Sequence, residues 1–98
     1  MRVIVYSVFD SKTKAFTRPF MMANNETALR MFDDVVNDNE HPISKHPEDY
    51  TLYRIAEYDD LTAEYINTIP PEFISIGSSL KKAVKTDLKI EIPEGQVK

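Results

Sequence analysis

Cysteine is absent from this 98-residue chain, which excludes disulfides, thiolate nucleophiles and sulfur-ligated zinc or iron–sulfur centres together. Glycine occurs only twice, at Gly77 and Gly95, too rarely to build the glycine-rich phosphate cradle of a P-loop or dinucleotide fold. No apolar run approaches the roughly 18 residues that would span a bilayer. The opening Met1-Arg2-Val3-Ile4-Val5-Tyr6 also lacks the basic region, long apolar stretch and small-residue cleavage site of a secretory leader. The expectation is one small domain in the cytoplasm, held together by packing alone. Its 42% hydrophobic and 29% charged residues suit neither a disordered polymer nor a membrane segment.

The formal charge of −4 hides a segregation along the chain. Residues 1–30 carry five basic and two acidic side chains, a net of +3; residues 31–64 carry two basic and ten acidic, a net of −8; residues 65–98 carry five basic and four acidic, a net of +1. The first block suits an anionic partner and the second a basic one.

Residues 2–9, RVIVYSVF, are β-branched and aromatic without proline or glycine, and predict a well-covered strand. The polar turn Asp10-Ser11-Lys12-Thr13-Lys14 leads to a return strand over Ala15–Met22, where Pro19 suits an edge or a strand end. Asn24 is a helix N-cap and Glu26 complements the helix dipole. Ala28, Leu29, Met31, Phe32, Val35 and Val36 then form one apolar stripe at helical spacing. A polar, proline-punctuated loop follows. Thr51–Tyr58 and Glu64–Ile69 predict a second hairpin around Asp59-Asp60-Leu61-Thr62-Ala63. An offset of 49 aligns the two hairpins, placing Phe9 on Tyr58, Asp10 on Asp59, Thr13 on Thr62 and Phe16 on Tyr65. Pro70-Pro71 is expected to end that ladder, with a short fifth strand or an extended segment over Glu72–Ile76. The fold class is therefore α+β, an antiparallel sheet of two hairpins in the order ββαββ with one helix across a face. The domain is expected over residues 1–77, followed by a lysine-rich tail over 78–98.

No residue set calls for catalysis. His41 and His46, near Glu40, Glu48 and Asp49, have ligand types suited to zinc, but a His-Pro pair also arises wherever backbone must be extended before proline. Asp33-Asp34 and Asp59-Asp60 are adjacent carboxylates that project apart, so neither makes an acid/base pair. The chain is read as a non-enzyme without metal or cofactor. The candidate phosphate contacts are Arg2, Lys12, Lys14 and Arg18, with Lys81, Lys82 and Lys85 from the tail. Phe16, or Tyr6, Phe9 or Phe20, offers a face on which bases stack. The competing surface is acidic: Asp59, Asp60 and Glu64 would dock a basic protein without touching DNA.

The run VYSVFDSKTKAFTRPFMM, the helix end VVND at residues 35–38, and KHPEDYTLYRIAEYDD at 45–60 resemble the small nonstructural protein of gokushoviruses, the single-stranded DNA microviruses of bacteria. The resemblance covers residues 2–77, and its most specific element is His46-Pro47-Glu48-Asp49-Tyr50 with Leu52 and the Asp59-Asp60 turn. It implies a DNA-binding protein, single strands favoured, that assists viral replication and the switch to single-strand synthesis and packaging. It also implies action in the host cytoplasm and absence from the virion. In the alternative reading, the acidic face regulates the phage replication initiator or assembly without contacting DNA. An exposed edge, either the return strand or the Glu72–Ile76 segment, would allow a homodimer.

Overall fold

The computed structural model describes residues 2–82. The first strand, β1 (Arg2–Asp10), turns into β2 (Ala15–Phe16) and β3 (Phe20–Met22), both antiparallel to it along the same edge. The expected single return strand is thus broken at residues 17–19. Pro19 has no amide to give, and at the break side-chain bonds join β1 to Thr17: Val8 N donates to Thr17 Oγ1 at 3.1 Å, and Ser7 Oγ donates to Thr17 O at 2.8 Å.

Helix α1 (Asn25–Val36) starts where the N-cap signal places it, with Thr27 N donating to Asn24 Oδ1 at 2.8 Å. The apolar stripe holds, and Ala28, Phe32 and Val36 are its buried ridge. The proline-punctuated loop contains two short helical turns, α2 (Pro42–Lys45) and a 3-10 turn at Pro47–Asp49, each opened by a His-Pro pair. Proline suits the first helical position because its missing N–H would have no partner there.

Strand β4 (Tyr50–Asp59) lies beside β1, and β5 (Glu64–Ile76) beside β4, giving the order β2-β1-β4-β5 with β3 also on β1. The sheet is antiparallel throughout, and the helices lie across one face of it. The short α3 (Gly77–Leu80) closes the described chain.

Pro70-Pro71 does not end the ladder. Pairing runs from Asp59↔Glu64 to Ala56↔Asn67 and resumes at Arg54↔Glu72, so residues 68–71 bulge opposite the single residue Ile55. Ile55 is itself the extra residue where β4 shifts register against β1. A bulge is where a strand tolerates proline, because no ladder hydrogen bond is lost there. The expected fourth and fifth strands are one.

The core occupies the helical side of the sheet: Tyr6, Val8 and Leu52 meet Ala28, Phe32 and Val36, with Ile4, Phe20, Met22, Ile43, Tyr50, Ile74 and Leu80 around them. The chain stays packed past Gly77. Asn37 Nδ2 donates to Leu80 O at 3.1 Å, and Lys81 Nζ donates to Ser44 Oγ at 2.5 Å and to Val36 O at 3.4 Å. Lys81 therefore satisfies a carbonyl at the C-terminal end of α1, where a cation is favoured. A Cβ on Gly77 would sit 2.5 Å from Pro47 O, so the close approach of α3 to the 3-10 turn requires glycine.

Candidate nucleic-acid interface

Alternation along β1 sends Ile4, Tyr6 and Val8 to the helical side and leaves Phe9 for the opposite side, which none of the helices among the described residues covers. Phe16 faces Phe9 across the β1–β2 pair, and Tyr53 and Phe73 face each other across β4–β5. The four rings form a stripe across the sheet, with centroids 4.9 Å apart for Phe9–Phe16, 5.8 Å for Phe16–Tyr53 and 6.3 Å for Tyr53–Phe73. Phe16 is 48% exposed and Phe73 57%. The bulge gives this stripe a wall: Pro70 and Pro71 join Phe9, Phe16 and Tyr53 around an open depression of about 410 Å³. Exposed aromatic rings on an open sheet face are the kind of surface on which unpaired bases stack.

The four ring candidates thus separate. Phe9 and Phe16 belong to the stripe, whereas Tyr6 and Phe20 stack on each other within the core at 5.9 Å. Tyr53, Phe73 and the two prolines were not among the candidates. Their signal is the strand register, because Tyr53 pairs with Ser7 and Phe73 with Tyr53, which carries the odd-numbered face of β1 across the sheet.

Lys12 and Lys14 sit in the turn directly beyond Phe9 and Phe16, and Arg18 lies in the break between β2 and β3; all three are exposed and form no ion pair among the described residues. Arg2 is elsewhere. It lies at the opposite end of β1, bound to Glu57 at 3.2 Å, and Glu57 also holds Arg54 at 2.6 Å. Lys81 is engaged with α1, Lys82 is exposed with its amide on Asn37 Oδ1, and Lys85 lies outside the described residues.

The two turns are copies in geometry and opposites in charge. Lys12 N donates to Asp10 Oδ1 and Leu61 N to Asp59 Oδ1, both at 2.9 Å. Lys14 N reaches Asp10 O at 2.8 Å and Ala63 N reaches Asp59 O at 2.7 Å. Lys14 and Ala63 adopt φ of 59° and 64°. Tyr58 and Tyr65 close the second turn at 4.9 Å, the separation of Phe9 and Phe16 at the first. Asp59, Asp60 and Glu64 therefore gather at one end of the β1–β4 ribbon and Lys12 and Lys14 at the other, about 30 Å away for nine residues of strand.

The acidic block of the sequence is not one acidic face, however. Ser11 N donates to Asp49 O at 2.9 Å, which brings the end of the 3-10 turn against the basic turn. The Tyr50 phenol between them has its pKa raised, by burial first and then by Asp10 and Asp49. The histidines also separate. His41 Nδ1 accepts from Ile43 N at 3.2 Å and caps α2, while ligand atoms of His46, Glu48 and Asp49 lie within 4.8 Å of one another. His46 and Glu48 are exposed, and exposed groups of this kind commonly cluster without an ion.

These features define a small α+β protein with a helix-backed antiparallel sheet and one open aromatic face. The chain belongs to the family described as Phage ORF5 protein, whose model matches residues 3–80. It is thus a small phage protein. No curated protein matches it, and no solved structure does. Among the described residues, no helix is long and apolar enough to cross a membrane.

Proposed function

We propose that this protein binds DNA, single strands in preference to duplex, on the face of its sheet opposite α1. In this reading it is a non-catalytic accessory of phage DNA replication, like the gokushovirus nonstructural proteins its sequence resembles. It acts in the host cytoplasm, stays out of the virion, and biases synthesis toward single strands for packaging by holding them. The observation that carries the reading is the Phe9–Phe16–Tyr53–Phe73 stripe, flanked by Lys12 and Lys14. Unpaired bases expose the ring faces such a stripe needs, and the lysines supply phosphate contacts.

Fluorescence anisotropy with labelled single-stranded and duplex oligonucleotides tests this. The expected result is tighter binding of the single strand, with Phe16→Ala or Tyr53→Ala weakening it by about 1–3 kcal/mol each. Folded protein that binds neither oligonucleotide at low salt overturns the proposal.

A second reading is supported by the collection of Asp59, Asp60 and Glu64 at the turn farthest from the basic one. In it, that turn docks a basic surface of the phage replication initiator. Nuclease-resistant co-purification with the initiator that is lost in Asp59→Lys/Asp60→Lys supports this reading, and unchanged recovery removes it.

A further inference from the structure

We propose that β5 is the interface of a homodimer, formed by residues 65–69 pairing antiparallel with the same segment of a second copy about a twofold axis at Asn67. The dimer stands independently of what the open face binds.

Among the described residues, strand β5 is the edge of the sheet, with β4 on one side and no strand on the other. Nine of its ten residues from Glu64 to Phe73 are exposed. Tyr65 is 60% exposed, Ile66 45% and Ile69 84%, and Leu61 in the adjoining turn is also 84% exposed. The core explains why. The cluster under the helices takes Tyr50, Leu52 and Ile74 from β4 and β5, so it lies under the other end of the two strands; toward the second turn only Ala56 is buried, and residues 64–67 are exposed. Edge strands of monomers are characteristically short or interrupted by charge, because unpaired N–H and C=O groups recruit another strand. Between Glu64 and Glu72 this edge carries no charge at all.

The same segment is its own complement. A twofold axis normal to the sheet pairs residues of like parity, and centring it on Asn67 sets Tyr65 opposite Ile69 of the second copy and Ile66 opposite Thr68. Aromatic and β-branched cross-strand pairs of this kind stabilise antiparallel ladders. Each Glu64 falls opposite the uncharged Pro70, so the carboxylates stay apart, and proline, with no amide to donate, stops the pairing there. Like-parity pairing also leaves the aromatic faces of both copies on one side, which joins two aromatic stripes and two basic turns into one bivalent surface.

The test uses the full chain without nucleic acid. Sedimentation equilibrium is expected to give twice the mass of one chain, and Ile66→Lys/Ile69→Lys to weaken the dimer by at least about tenfold with an unchanged circular dichroism spectrum. Because the chain has no cysteine, Asn67→Cys is expected to cross-link to itself under mild oxidation. Met21→Cys, 45% exposed on the opposite edge, is expected not to. A single-chain mass at about 100 µM, a concentration that would populate any dimer of micromolar affinity, overturns the proposal. So does a double-lysine variant that dimerises as tightly as the native chain, or cross-linking at position 21 instead of 67. Oligonucleotide binding is measured separately, so either proposal can fail without the other.

Discussion

Tyr6 carries more of the fold than its place in an apolar strand suggests. It is fully buried, and its hydroxyl donates to Asn25 Oδ1 at 2.5 Å, tying the middle of β1 to the first residue of α1. Burial pushes its phenol pKa up; Arg54 opposes the shift and Glu72 adds to it. A folded-state pKa above the unfolded value of about 10 gives stability that is complete below that pH and is lost as pH rises through the folded value. Urea midpoints should therefore fall above about pH 10. Tyr6→Phe should lose about 1 kcal/mol at pH 7 and decline less steeply in alkali, with Tyr50 accounting for part of the remaining decline. Equal midpoints for the two proteins at pH 7 would show that this hydrogen bond adds nothing. The sequence marked Tyr6 as aromatic and strand-borne but left it among the stacking candidates, because composition does not say which face of a strand the helix covers.

At the scale of elements, the repeated turn was legible and the proline bulge was not. An Asp at the first position and an aromatic pair across the ladder are local features, set by residues within eight positions of one another, and both turns form as the alignment predicts. The left-handed residue that closes each turn is Lys14 or Ala63, and a side chain there is disfavoured by about 1–2 kcal/mol. Ala63→Gly is therefore expected to stabilise the protein by about 0.5–1 kcal/mol after allowing for glycine's greater freedom in the unfolded chain. Thermal and urea unfolding check this, and a lower midpoint would refute it. Lys14→Gly should bring the same gain while removing one basic group. Pro70-Pro71 was misleading because the rule against proline concerns a regular ladder, whereas here the ladder omits residues 68–71 and resumes at Glu72.

At the scale of the whole molecule, charge is placed by topology. Antiparallel pairing of β1 with β4 sets the beginning of the basic block against the end of the acidic one, so Arg2 is ion-paired with Glu57 while Lys12 and Lys14 stay open at the other end. For a single strand held at the basic turn, Lys12→Gln/Lys14→Gln should lower the slope of log affinity against log salt by about 1.4. Asp59→Asn/Glu64→Gln, at the far turn, should leave that slope unchanged. Equal slopes for native protein and the lysine variant would remove the basic turn from the contact.

The amino-acid sequence by itself determined what depends on near neighbours: the α+β class, the Asn24-capped helix with its buried stripe, the two matching turns, and the absence of thiol and P-loop chemistry. Tertiary structure alone decided which aromatic rings share a face, which cations are ion-paired, and that one long strand passes through two prolines to form an exposed edge. Those properties depend on strand register between residues as far apart as 2 and 59. A single extra residue such as Ile55 shifts that register, so local pattern cannot determine it.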